Sequence, residues 1–161
     1  DRTALNWSSP GDGASFTPNG SFGFLERLTG AERLLVLSDA PSGVYRSDNG
    51  GSSWTAATGF ATSNFWYATD FAARDPTGTE VYALRLEFSG SYRPRLYAST
   101  DRGASFTALA FLTARDQAAL FSPRYNSTTM YLLDGLQLKT ITPGTHDLVN
   151  VSTITTAAPP G

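Results

Sequence analysis

Short runs rich in β-formers, each bounded by Gly, Pro, Asn or Asp, recur along the chain at 32–38, 66–72, 79–88, 118–121 and 129–133. Runs of this length and punctuation predict strands. The 79–88 run alternates, with Tyr82, Leu84, Leu86 and Phe88 in one phase and Val81 and Ala83 in the other, which predicts one apolar face. Pro marks the approach to two of the strands: Asp75-Pro76 precedes Val81-Tyr82, and Ser122-Pro123 precedes Met130-Tyr131. Residues 112–120 contain the helix formers Ala114, Ala118 and Ala119 but no clean 3.6-residue period, so no helix is expected.

Between the strands a motif repeats. Val44-Tyr45-Arg46-Ser47-Asp48-Asn49-Gly50-Gly51-Ser52-Ser53-Trp54-Thr55 aligns without a gap on Leu96-Tyr97-Ala98-Ser99-Thr100-Asp101-Arg102-Gly103-Ala104-Ser105-Phe106-Thr107. A weaker copy, Ser9-Pro10-Gly11-Asp12-Gly13-Ala14-Ser15-Phe16-Thr17, keeps the Ser, Gly, Ser, aromatic and Thr positions. Its local chemistry is that of a strand–turn–strand corner. Asp or Asn and Ser supply acceptors to turn amides, Gly supplies positive φ, and the aromatic buries its ring at the start of the next strand. The leading Ser residues stand at 9, 47 and 99, so the spacing suits a supersecondary unit of about 40 to 50 residues with variable loops.

Counted by these signals, residues 21–57, 65–110 and 117–154 each make a set of four strands, and 3–18 adds the last two strands of a preceding set. In the third set Lys139-Thr140-Ile141-Thr142-Pro143-Gly144 stands at the corner but has lost the acid and the aromatic. Repeated four-stranded units of this size cover their apolar faces by stacking on one another, the architecture of a β-propeller. The fold expected is therefore all-β, a propeller or partial propeller of about three and a half antiparallel blades, with 155–161 as a Pro-rich linker or tail. Three and a half blades leave edges and faces uncovered, which predicts pairing with a second copy or with the remainder of a parent chain.

Composition narrows the functional classes. The 161 residues carry Lys+Arg 12 against Asp+Glu 14, a formal net charge of -2, with no clustered basic segment. That balance argues against docking on nucleic acid or anionic membrane. Cysteine is absent, which removes disulfides, thiolate nucleophiles and thiolate-held zinc. A single His, His146, excludes a multi-histidine metal site, so neither metal nor cofactor is expected. No apolar run reaches the roughly 20 residues of a membrane-spanning helix. The opening residues do not read as a signal peptide, and the expectation is a mature or excised piece of a longer exported chain, secreted or at the cell surface.

Ser99-Thr100-Asp101-Arg102-Gly103-Ala104-Ser105-Phe106 resembles a full Asp-box, and 47–54 resembles one with Asn49 at the acidic position. The Asp-box, or BNR repeat, is a hairpin of propellers such as sialidases, xyloglucan-cleaving glycosidases, sortilin-type receptors and photosystem assembly factors. Asp75-Pro76-Thr77-Gly78-Thr79-Glu80-Val81-Tyr82 is similar to the approach to the box in the glycosidase and assembly-factor relatives. The resemblance spans residues 9 to about 140. It implies that the box lies at the periphery of a blade, away from the central binding face, as scaffolding. The structural box residues so implied are Ser47, Asn49, Gly51, Trp54, Ser99, Asp101, Gly103, Phe106, Ser9, Gly13 and Phe16.

Asp70, Asp75, Glu80 and Glu87 are the carboxylates from which a glycoside-cleaving pair would have to come, but no spacing singles out two of them. They read as loop or strand-face charge. Arg93-Pro94-Arg95 is similar to an arginine-containing sialidase segment, lacks its apolar flank, and reads as a loop crossing. Trp66, Tyr67 and Tyr92 are the candidate ligand-binding aromatics, because ring faces are platforms for sugars. Trp7 stands apart near the start, and Trp54 is assigned to the core. His146 has no partner pattern and reads as a loop residue. Asn6, Asn19, Asn126 and Asn150 each begin a glycosylation sequon. The function expected is a non-catalytic exported module for protein or glycan recognition. The alternatives are a fragment of a glycoside hydrolase propeller and a structural or assembly subunit.

Overall fold

The computed structural model describes residues 23–27, 33–39, 42–60, 68–74, 79–113, 118–121 and 129–153. These form twelve strands and no helix. The first sheet contains β1 (Gly23–Arg27), β2 (Leu34–Asp39), β3 (Ser42–Ser47) and β4 (Thr55–Ala56). The second contains β5 (Ala68–Ala73), β6 (Val81–Phe88), β7 (Tyr92–Ser99) and β8 (Thr107–Phe111). The third contains β9 (Ala118–Phe121), β10 (Met130–Asp134), β11 (Gln137–Ile141) and β12 (Leu148–Thr153). Each is an antiparallel meander in chain order.

Register aligns the sheets. Leu34 pairs with Ser47, Val81 with Ser99 and Met130 with Ile141, at the same place in each second and third strand. Side chains alternate from there. In the second sheet Val81, Ala83 and Tyr97 face the first sheet and share a buried cluster with Leu35, Val44, Phe60, Ala73 and Phe106. Tyr82, Leu84, Leu96 and Ala98 face the other way, in a cluster with Leu120, Met130, Leu132 and Ile141 of the third. The single apolar face expected for 79–88 is thus corrected: Val81 to Arg85 are all buried, because β6 lies in a sheet sandwiched between two others. Alternation survives as a choice of which neighbour each residue touches.

Backbone joins the first two sheets directly. Thr58 donates its amide to Ala104 O at 3.0 Å and accepts from Phe106 N at 2.8 Å. A Cβ on Gly59, whose φ is +74, would stand 2.0 Å from Phe106 O, so only glycine allows this approach.

Arg93-Pro94-Arg95, expected as a loop crossing, lies within β7; Pro94 is buried and its carbonyl accepts from Leu112 N at 2.8 Å. Of the weak helical stretch, Ala118–Phe121 is strand and pairs with β10, where Leu120 joins the core. The expected half-set at 3–18 and the tail at 155–161 lie outside the described residues, as do Asp75, Trp7, Trp66 and Tyr67.

Candidate functional site

Antiparallel meanders give the stacked sheets two ends. One carries the corner turns between third and fourth strands; the other carries the hairpins between second and third strands and the links from sheet to sheet.

At the corner end, the first two turns are closed by their own side chains. Ser47 Oγ accepts from Gly51 N at 2.8 Å and donates to Asn49 Oδ1 at 2.9 Å. Asn49 Oδ1 also accepts from Ser53 N, and its Nδ2 donates to Ser53 Oγ, both at 2.9 Å. In the second corner Ser99 Oγ accepts from Gly103 N at 2.9 Å and donates to Asp101 Oδ1 at 2.8 Å. Asp101 Oδ1 accepts further from Ala104 N at 3.0 Å and Ser105 N at 2.8 Å, and Oδ2 from Ser105 Oγ at 2.5 Å. Burial works against that carboxylate, yet the bonds from Ser105, Ser99 and Ala104 outweigh it and hold Asp101 below the usual carboxylate range. Trp54 and Phe106 are buried, and Phe106 packs edge-on against Phe60 with centroids 5.6 Å apart.

The third corner has Ile141 where the others have Ser. Its turn is closed by main chain, with Thr142 N donating to Asp147 O at 2.9 Å and His146 N to Thr142 O at 2.8 Å. The second sheet supplies the rest. Glu80 Oε1 accepts from Gly144 N at 2.9 Å, while its Oε2 pairs with Arg74 Nε at 2.5 Å and accepts from Tyr82 OH at 3.3 Å. Tyr82 OH lies 3.0 Å from His146 Nδ1. Burial, then the charge and bond of Glu80, push the Tyr82 phenol well above its ordinary value. Arg33 makes the corresponding tie from the first sheet, donating to Arg102 O at 3.2 Å and Asp101 O at 3.4 Å. Its guanidinium also pairs with Asp48 and holds that carboxyl below its usual range.

At the hairpin end, Tyr97 is buried against Phe60 at 4.7 Å between centroids and donates its OH to Glu87. Burial and then that bond push its phenol up to about 12. Glu87 also pairs with Arg95 at 3.3 Å, and Arg95 stands over the Phe111 ring at 4.8 Å. Arg93 donates to Leu112 O at 3.1 and 2.7 Å. Asp134 is buried, accepting from Lys139 Nζ at 2.6 Å and Thr113 Oγ1 at 2.8 Å. Beyond these tied groups two rings project: Phe88 and Tyr92, opposite one another at the end of β6 and β7, are exposed and meet edge-to-face at 5.3 Å.

The candidate carboxylates among the described residues serve separate ties. Asp70 accepts from Leu120 N at 2.6 Å, tying β5 to β9. Glu80 and Glu87 flank β6 at its two ends, about 20 Å apart at the rise of an extended chain, beyond the roughly 5 to 9.5 Å between hydrolytic carboxylates. Among the described residues no group of three or more His, Asp or Glu is disposed to hold a metal ion.

The fold and the stacking define the class: an all-β chain whose described residues form blades of a partial β-propeller. No family model and no curated protein matches the chain. Among solved structures it is similar to one titled "NanB plus Optactamide". The TM-score is 0.52 at 12% identity, covering 78% of this chain and 22% of that one. At that identity the likeness speaks to fold alone, and this chain spans about a fifth of that chain's length.

Of the residues singled out from the sequence, Ser47, Asn49, Gly51 and Trp54 come together in one turn and Ser99, Asp101, Gly103 and Phe106 in another, while Tyr92 stands at the opposite end. Ser9, Gly13, Phe16, Trp66 and Tyr67 lie outside the described residues. Sequence reasoning missed the ties made by Arg33, Glu80 and His146. Setting Leu34 in register with Val81 would have found the first two, since each immediately precedes its sheet's second strand.

Proposed function

We propose that the chain is a non-catalytic, exported Asp-box propeller module that recognises a protein or glycan and works within a larger propeller or assembly. The observation that carries this reading is the division of labour between the ends. Asp70, Glu80 and Glu87 are committed to a main-chain amide, an inter-sheet tie and a buried phenol. The hairpin end, by contrast, offers Phe88 and Tyr92 as adjoining exposed rings. Rings so placed suit stacking on sugars or seating a partner's apolar side chain.

The test is binding to an immobilised panel of polysaccharides and glycoproteins, with release of nitrophenol from aryl glycosides measured alongside. Binding that falls at least tenfold in Phe88→Ala/Tyr92→Ala, with melting unchanged and no nitrophenol released, supports the reading; about tenfold corresponds to 1.4 kcal/mol. A second reading is a fragment of a glycoside hydrolase propeller. Turnover of aryl glycosides that disappears in Asp70→Asn would establish it in place of the first. A third, a structural or assembly subunit, would show as stable co-purification with a protein and indifference to the Phe88 and Tyr92 changes.

A further inference from the structure

The register of the three sheets gives each one a face turned toward the following sheet. In the first it bears Leu35 and Val44; in the second, Tyr82, Leu84, Leu96 and Ala98. Both are covered. Leu35 packs so closely on the second corner that a Cβ on Gly103 would come within 2.7 Å of its side chain. Tyr82 abuts the third corner, its ring 5.7 Å from that of His146. The same positions in the third sheet are Tyr131, Leu133, Leu138 and Thr140, flanked by Phe121 on β9 and Val149 on β12. Tyr131 matches Tyr82, Leu133 matches Leu84 and Leu138 matches Leu96, so this face repeats the chemistry of a buried one.

Its surroundings differ. Tyr82, Leu84 and Leu96 are 0% exposed, whereas Tyr131, Leu133 and Leu138 are only half-buried and the flanking Phe121 and Val149 are 42% and 50% exposed. Phe121 and Tyr131 stack on each other at 5.5 Å with rings 8° from parallel, and neither belongs to a buried cluster of the described residues. An apolar sheet face of this kind, repeating the pattern of two occupied interfaces, marks an interaction surface.

We propose that the outer face of the third sheet is the docking surface for a further four-stranded sheet of the same repeat, its corner turn seated over Tyr131. The occupant follows from how the two existing interfaces are built. Each pairs a Leu- or Tyr-bearing face with the opposite face of the next meander, and a corner turn lies against the Leu35 or Tyr82 position. A second copy approaching in the same sense would have to offer the opposite face of its first sheet. There Val36 and Trp54 are already buried. The proposal rests on the reading of the chain as part of a larger propeller and names what that larger part must present.

The experiment supplies the sheet. A second copy of residues 65–113 is appended after Gly161, so that residues 154–161 and the duplicated 65–67 make a link as long as residues 57–67 between β4 and β5. Hydroxyl-radical footprinting is read at Phe121, Tyr131, Leu133 and Leu138 with and without the added sheet. Labelling at these four residues is expected to fall to the level of Tyr82, and Val149→Asp in the extended chain to restore it. Labelling unchanged by an appended sheet whose own Tyr97 equivalent is protected would overturn the proposal. So would protection of the same residues in a dimer of the unextended chain. Neither readout involves ligand binding, so this failure and the failure of the recognition reading are separate results.

Discussion

In the second corner, residues 100–106, one carboxylate gathers two main-chain amides and two hydroxyls while Phe106 drops between the sheets. In the third, residues 142–147, no side chain of the turn takes that part, and Glu80 and Tyr82 reach across from the second sheet to meet Gly144 and His146. Both turns reverse a strand and both use left-handed residues, Arg102 and Gly103 in one, Gly144 and His146 in the other. The difference is where the acceptor comes from. A turn that carries its own acceptor and anchor is specified by local sequence. One that borrows them depends on stacking, and so becomes a reporter of the interface between sheets.

The contrast breaks most visibly at the anchor. Phe106→Ala removes a buried ring from the first interface and is expected to cost about 3 to 5 kcal/mol. Pro143→Ala, on the exposed tip of the third corner, should stay within about 0.5 kcal/mol. Urea unfolding of the two variants checks this. Equal midpoints would mean that the second corner is not anchored by its aromatic and that the two turns do not differ in kind.

Next in size is Glu80→Ala, which strips the borrowed acceptor and leaves Gly144 N and Arg74 without it. Loss of a hydrogen-bonded charge is expected to cost about 1.5 to 3 kcal/mol. The sharper readout is hydrogen exchange: Gly144 and His146 amides should speed up while Gly103 and Ser105, held by Ser99 and Asp101, keep their rates. Uniform acceleration at both corners would erase the distinction.

How much of this was legible beforehand follows the same line. The Ser, Asp, Gly and aromatic positions of 99–106 could be read because their partners lie within a few residues, and local chemistry fixes such turns. The stacked all-β architecture was legible from the repeat. The degree of burial was not: alternation in 79–88 says which residues share a face, but only the third dimension says that both faces are covered. Arg93-Pro94-Arg95 misled because Pro ordinarily interrupts ladders, whereas here it sits near the start of β7, outside the short stretch paired with β8. The inter-sheet ties were hidden because Glu80 and Gly144 are 64 residues apart and their types differ from those of Arg33 and its carbonyls.

The smallest expected effect isolates the acidic position of the two self-closed corners, Asp101 in one and Asn49 in the other. Because Asp101 is held below its ordinary value when folded, the stability it lends is fully present above the unfolded value of about 3.9. It fades as pH falls through the lower folded value, since the unfolded chain takes up the proton first. Asn49 makes the same kind of turn with no proton to gain. Asp101→Asn should therefore leave the midpoint of unfolding near its parent value at pH 7 and flatten its decline between pH 5 and 3. Asp48, the other carboxyl held low at this end, contributes to the slope that remains. Asp101 is exposed, so solvent screens its charge and the change in slope is small. Urea midpoints taken across that range, parent against variant, decide the matter: parallel curves would mean that the carboxylate and the amide serve the corner equally well at every pH, and that the hydrogen bonds matter but the charge does not.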